Sequence, residues 1–424
     1  MKNIRTTWQP QRLPAGALLL VITVSLIIAA ILLSLILLAT NRRMLVQRDA
    51  QLEQLRQNLA SGLAYVQAHP AQPAFQSLTV DLFGDGEQVV QVTRKPWGFF
   101  DVAVIAGSKG TFQDTTLALL GSTFNVVNQS ALYLTDENVP LAVNDDAQVR
   151  GVAWLPKAGE IRPASLPLTG EHRKGEAVVG KVHSSGARLP LTADSALTRL
   201  KSYGQLELTE LLPTQSRPVT TLPDLAYSFA GLPAVWYHAK AYTIQRALTG
   251  QVVVISSSRL TVEATSQLTD VLLLAPTIII KPGFRGRVQL IARDTVLVGA
   301  DCHLTYPSAV CAYGAGQSAL VSLGPDTSVQ GVVVAAAAEG LAALIQSTPT
   351  TMVEGQVFTT GVVENCGTVR GTVTCRRLVY RGVGSAYENC LVNAVLDRTS
   401  LSARFLTSRL LNPTANSGVV AWLP

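Results

Sequence analysis

Five cysteines offer the most chemistry in this chain: Cys302, Cys311, Cys366, Cys375 and Cys390, all in its last third. Two pairs share one spacing, nine positions from Cys302 to Cys311 and nine from Cys366 to Cys375. Nine positions let a short loop return, so local disulfides at 302–311 and 366–375 are geometrically open, although spacing does not fix connectivity. The plainer reading is that these are small buried hydrophobes on strands. Zinc is not indicated, because there is no Cys-x-x-Cys and His303 merely adjoins Cys302. If disulfides form, the C-terminal body lies outside the reducing cytoplasm.

Other reactive groups are thinner on the ground. His69, His172, His183, His238 and His303 are scattered, and no HExxH, GxSxG, P-loop or strand-to-helix GxGxxG occurs. Asp81, Asp85 and Glu87 lack the alternating spacing of a calcium loop and read as a turn. Glycoside cleavage needs two carboxyl groups about 5–9 Å apart. Glu263, Asp294, Asp301, Glu354 and Glu364 each stand alone when the repeats described below are aligned. The expectation is a chain with no catalytic residue, cofactor, metal or small-molecule substrate. The net charge of +6 comes from dispersed residues such as Lys95, Lys157, Arg173, Lys174, Arg376 and Arg377, so nucleic-acid binding is not expected either.

The elements that hold these residues are easier to read. Residues 13–41 carry no charge and lie between Arg12 and Arg42; within 17–39 only Thr23, Ser25 and Ser34 are polar. A helix needs about 20 apolar residues to cross a bilayer. The run is too long for the roughly 7–15-residue core of a cleaved secretory signal. The basic segment 1–12 thus precedes a transmembrane helix over 13–41, and the flanking charges are too evenly matched to set its orientation. Over 42–70 an amphipathic stalk helix follows, with Leu45, Leu52, Leu59 and Val66 at heptad spacing beside Leu55 and Leu63. Packing of this stripe against the protein's own body is favoured over a short coiled coil, because Arg48 and Gly62 occupy candidate core positions.

From Ser77 the period changes to that of strands, and the chain reads as mainly β. A β-rich region with loops spans 77–215, a β-solenoid of parallel β-helix type spans 216–390, and 391–424 is a C-terminal tail. At 48% hydrophobic and 15% charged, the chain has ample apolar content for a large core and is not disordered throughout. The repeat that argues for a solenoid lays Asp270-Val-Leu-Leu-Leu-Ala over Arg287-Val-Gln-Leu-Ile-Ala at an offset of 17, with Val252-Val-Val-Ile as a looser copy. A second pattern recurs as Val149-x-Gly151, Val178-x-Gly180-x-Val182, Val329-x-Gly331-x-Val333, Val353-x-Gly355-x-Val357 and Val369-x-Gly371-x-Val373. Glycine at the corners, where φ is positive, is expected. Residues 332–346 read as a buried strand running into a short Ala-rich helix.

Three resemblances accompany this reading. The anchor with its amphipathic continuation, Trp97-Gly-Phe-Phe, Ala131-Leu-Tyr-Leu-Thr-Asp, Val149-Arg-Gly-Val-Ala-Trp-Leu-Pro, Ser385-Ala-Tyr-Glu-Asn and Val419-Val-Ala-Trp-Leu-Pro together resemble a family of uncharacterised single-pass membrane proteins of Bacteroidota. Gly16 behind Lys2, Arg5 and Arg12 resembles the processing site of type IV pilins and pseudopilins, although Val21 stands where a pilin has glutamate. The Val-x-Gly-x-Val coils over about 251–375 are similar to those of bactofilins, a likeness that would place the body in the cytoplasm, against the cysteine reading. The first resemblance implies a bacterial envelope protein with a pilin-like anchor, and the reading adopted is a non-enzymatic, membrane-anchored cell-envelope protein that presents a solenoid for self-association or for binding other envelope proteins. The expected location is the inner membrane with an extracytoplasmic body. A pseudopilin-like subunit of a pilus or secretion apparatus is the first alternative, and a surface carbohydrate-active β-helix enzyme the second.

Overall fold

The computed structural model describes residues 15–423, apart from 71–74, 85, 87, 125–128, 145–146, 162–175, 191–193, 206–216, 219–221, 383 and 413–414. The basic N-terminal segment and Gly16's upstream context therefore lie outside the described residues. The first element, α1 (Ala15–Ala68), is one unbroken helix of 54 residues, about 80 Å long at 1.5 Å per residue. Its N-terminal part is long and apolar enough to cross a membrane, and none of its most apolar window is buried in the protein.

The C-terminal part of α1 lies on an antiparallel sheet of β1 (Ser77–Asp81), β2 (Val89–Trp97), β3 (Phe100–Lys109) and β4 (Phe112–Ser122), to which Ser417–Trp422 adds a fifth strand beside β4. Leu55, Leu59, Leu63 and Val66 are buried against Val90, Val92 and Ile105. Their spacing of four, four and three follows the 3.6-residue period of a helix laid on a flat sheet, whereas Leu45 remains exposed. Gly62 makes the approach possible, since a Cβ there would sit 2.8 Å from Ile105 Cγ2. The residue that spoils a coiled-coil seam is the one that seats the helix on the sheet.

The body is a three-walled β-solenoid of about ten turns. The apolar run over 271–275 pairs in parallel with 288–292 at the expected offset of 17; a bulge at Pro276 then shifts the register, so that Thr277 opposes Thr295. Val253–Ile255 pairs with Leu272–Leu274, which makes the looser copy a genuine earlier coil. Inward aliphatic side chains from every coil form one continuous interior core. Gly331, Gly355 and Gly371 stack at one corner with φ of 141°, 139° and 152°. Other corners are turned by Asp or Asn in the left-handed region, at Asp301, Asp326, Asn365, Asn389 and Asn393, residues that tolerate it through local hydrogen bonding. Residues 332–346 contain no helix: the strand Ser328–Ala337 is followed by a turn and the strand Ala343–Gln346.

The domain boundaries differ most from the sequence reading. At one end the strand Arg217–Pro218 pairs in parallel with Trp236–Tyr237, but the solenoid does not end at 390. The coil that carries Cys390–Val392 and Val395–Asp397 on two walls is completed on the third by Leu132–Leu134, which pairs in parallel with Val373–Cys375. Two further coils follow from the early chain. Gln148–Arg150 stacks on Val395–Asp397, Ala153–Leu155 on the 132–134 strand, and Val178–Val179 with Val182–Ser184 closes the stack. The early Val-x-Gly pattern thus marks true coils, placed after the late ones in space. The chain leaves the solenoid at Arg398 and enters it at Ala131 on the same seam. That seam is held by Val373 N–H to Ala131 O (3.0 Å), Arg398 N–H to Arg150 O (3.0 Å) and the Arg150–Asp397 ion pair (3.6 Å). Residues after 397 form no free tail, since they run back over the solenoid to become the fifth strand of the first sheet.

Candidate functional site

What the sequence left without a role, the Trp97-Gly-Phe-Phe motif, is where sheet and solenoid meet. The β2–β3 hairpin pushes Trp97, Phe99 and Phe100 into a second core, shared with the outer face of one solenoid wall through Val253, Leu272 and Ile291. Gln289 interrupts the apolar run Val288–Ala292 and is buried. Its Oε1 accepts from Phe99 N–H (2.8 Å) and its Nε2 donates to Trp97 O (3.1 Å), so one amide satisfies both free edges of the hairpin. Trp97 Nε1 donates to Asp270 O (3.1 Å) and Ser408 Oγ to Phe99 O (2.7 Å). From the helix α2 (Asp194–Gln205), the Tyr203 hydroxyl donates to Gly98 O (3.3 Å); burial pushes its pKa up to about 12.

Beside the hairpin, three guanidinium groups converge on one carboxylate. Asp101, 1% exposed, accepts from Arg94 Nη2 (2.6 Å) and Nε (2.9 Å), Arg409 Nε (3.0 Å) and Arg199 Nη1 (3.4 Å). The formal charge of this cluster is +2, and part of the balance comes from α1. Arg94 and Arg409 both donate to Pro70 O, just past the helix C-terminus, where the macrodipole is negative. Desolvation, reinforced by repulsion from Arg94, lowers the Arg409 pKa to about 10. The cluster therefore ties the end of α1, two strands, α2 and the C-terminal return into one buried knot.

The cysteines are all free thiols and all buried. Cys302 faces the solenoid interior, whereas Cys311 faces the outer core under the hairpin. Cys302 precedes the strand His303–Gly314 and Cys311 lies beyond its bend between Leu304 and Ser308, with one thiol in the interior core and the other in the outer core, and no bridge joins them. Cys366 and Cys375 both face the interior, and neither is bridged. With no disulfide, the thiols no longer argue for an oxidising compartment. Burial raises the Cys366 pKa to about 12, and those of Cys311 and Cys375 rise as well. Denatured without reductant, the chain is expected to titrate five thiols. A count of three would place a bridge at 366–375, the pair that shares a core. The same shifts set a pH effect. The folded state holds these protons above the ordinary thiol pKa near 9, so stability is complete below that value. It falls as pH rises further, by up to about 1.4 kcal/mol per unit for each of the three thiols, which denaturant titration at pH 8 and 10 would measure.

Four of the carboxylates singled out by sequence have side-chain partners on the solenoid. Glu354 accepts from Gln330 (3.1 Å), Glu364 from Gln346 and Arg381, Asp294 from Arg293, and Asp301 meets His303 (3.2 Å). Asp81 accepts from Gly84 and Gly86 N–H (2.9 Å each) within its own turn. Among the described residues, no three His, Cys, Asp or Glu side chains are grouped to hold a metal. Sequence reasoning missed Asp101, Gln289, Arg199 and Arg409. A lone glutamine within Val288-Gln-Leu-Ile-Ala was the available signal for one of them. Compared with models of protein families, with curated proteins and with solved structures, the chain matches none.

Proposed function

We propose that this chain is a non-enzymatic structural or assembly protein of the cell envelope, anchored in the inner membrane by α1. Its solenoid would stand on the extracytoplasmic side for self-association or for binding another envelope protein. The observation that carries this reading is mechanical continuity. One helix runs from the exposed apolar segment into the sheet, and the sheet is fastened to the solenoid by a shared core and the Asp101 cluster. A load on the body therefore reaches the membrane without passing through a hinge in α1. The terminal strands Val178–Val179 and Val182–Ser184 are paired on one side only among the described residues, and such an edge can accept another strand.

Spheroplasts carrying the full chain test location and assembly together. The body is expected to be cut by added protease, and chemical cross-linking in intact membranes is expected to give multimers or a discrete envelope complex. Protection from protease would favour a cytoplasmic, bactofilin-like scaffold instead. A monomer with no cross-linked partner would overturn the assembly role. The pseudopilin-like alternative is favoured by one feature: removal of residues 1–16 would take only the first two residues of α1 and leave the part packed on the sheet untouched. A mature N-terminus at Ala17, read by intact mass, would move it to first place.

A further inference from the structure

We propose that the turn between β1 and β2, carrying Leu82 and Phe83, is a second membrane contact: an apolar foot that rests in the lipid interface beside the anchor. The inference rests on α1 being a membrane anchor and adds an interaction that the helix alone does not require.

The argument begins with how deep α1 sits. The exposed apolar surface does not stop at Arg42 and Arg43, because Met44, Leu45 and Val46 are 66%, 58% and 68% exposed. Residues 17–46 span about 45 Å as a helix, which matches the roughly 40–45 Å of a bilayer with its headgroup layers. Arg42 and Arg43 would then extend their guanidinium groups outward along the interface. The outer edge of the membrane falls near Val46.

The sheet begins immediately beyond that level. At the β3–β4 hairpin, Gly110 lies against Gln51, and the Arg48 guanidinium stacks over the Phe112 ring at 5.3 Å. The strands run antiparallel, Asp81 opposite Val89 and Val90 opposite Gly107, so the β1–β2 turn projects from the same membrane-facing end. Leu82 is partly packed under the sheet, whereas Phe83 is 66% exposed at the tip. Gln51 is five residues past Val46, about 7–8 Å along the helix. β1 is the edge strand, displaced sideways from α1, so the foot reaches the lipid when α1 tilts towards that edge, within the ordinary range of about 20°.

Charge does not drive this contact. Arg42, Arg43, Arg48 and Lys109 are matched by Asp49, Asp81, Asp85, Glu87 and Asp114 in the same part of the sequence. The foot is therefore an apolar one, expected on zwitterionic lipid as readily as on anionic lipid. Its consequence is orientation: a helix alone leaves the body free to rotate about the membrane normal and to tilt, and a second contact removes the tilt.

The test uses the full chain in phosphatidylcholine nanodiscs whose acyl chains are brominated near the headgroup. Phe83→Trp reports from the foot, and Leu232→Trp, equally exposed but at the Lys95 end of the sheet, serves as the distal control. At an interfacial depth of about 5–10 Å, the emission added by Phe83→Trp should fall roughly two-fold in brominated nanodiscs, with that of Leu232→Trp unchanged. Equal emission from Phe83→Trp in brominated and ordinary nanodiscs would overturn the foot. Retention of that variant in carbonate-washed membranes would show in the same experiment that the anchor itself still stands. Both positions are exposed, so neither replacement is expected to disturb folding.

Discussion

Asp101→Ala is expected to cost about 3–5 kcal/mol of stability, the usual penalty for removing one partner of a buried charge cluster. The reason is the imbalance already present. Arg94, Arg199 and Arg409 share this carboxylate, and Arg409 is held at a pKa near 10 by burial even with it in place. Without Asp101, three guanidinium groups would face one another with only Pro70 O and neighbouring hydroxyls to accept from them. Arg199→Ala should cost much less, because its side chain is 20% exposed and its contact with Asp101 is the longest of the set. Denaturant unfolding of the full chain in detergent would give both values. An Asp101→Ala loss below about 1 kcal/mol would mean that the end of α1 alone compensates the arginines. Hydrogen exchange should localise the damage to β2, β3 and the residues around 409, with the interior coils still protected.

The second large effect belongs to the glycine ladder. Gly355→Ala is expected to destabilise by about 2–6 kcal/mol, combining backbone strain with overpacking. Gly355 has φ of 139°, and a Cβ there would fall on the carbonyl oxygen of Gly331 in the coil below, far inside van der Waals contact. Gly331 makes the same approach to Ser308 O, and Gly371 to Gly355 O. Each coil can rest on the last only where this corner has no side chain. Gly231→Ala is the control: a Cβ at Gly231 meets nothing within 4 Å and its φ is unstrained, so the change should be neutral or stabilise by about 0.4–1 kcal/mol. Equal stabilities for the two variants would mean that the coils can separate at this corner at little cost.

Several residues show why local pattern carried the reading so far. The helix over 13–41 was evident because the absence of charge is a property of consecutive residues. The coil repeat was evident because Val271–Ala275 and Val288–Ala292 meet within one short turn of chain. Leu59 and Val66 revealed an amphipathic helix, and Gly62 pointed away from a coiled coil. The bulge that shifts the register at Pro276 and the absence of a helix after Ala337 escaped, because both depend on how one coil settles against the next. Cys302 and Cys311 illustrate the same limit. Their spacing admitted a loop, but which core each thiol enters follows from how the coil bends between them, and that placed one inside the solenoid and the other under the hairpin.

The amino-acid sequence by itself therefore determined the apolar helix, the β-character of the body, the coil period and the corners that demand glycine, since each is written within one or two turns of chain. Only the tertiary structure decided that Leu132–Leu134 completes a coil begun at Cys390, that the last strand returns to the first sheet, and that Asp101 gathers three arginines from β2, α2 and the C-terminal return. Those pairings join residues up to about 300 positions apart. They are selected by matching strand edges and by the cost of leaving a buried charge or amide unpaired, and no local pattern records either.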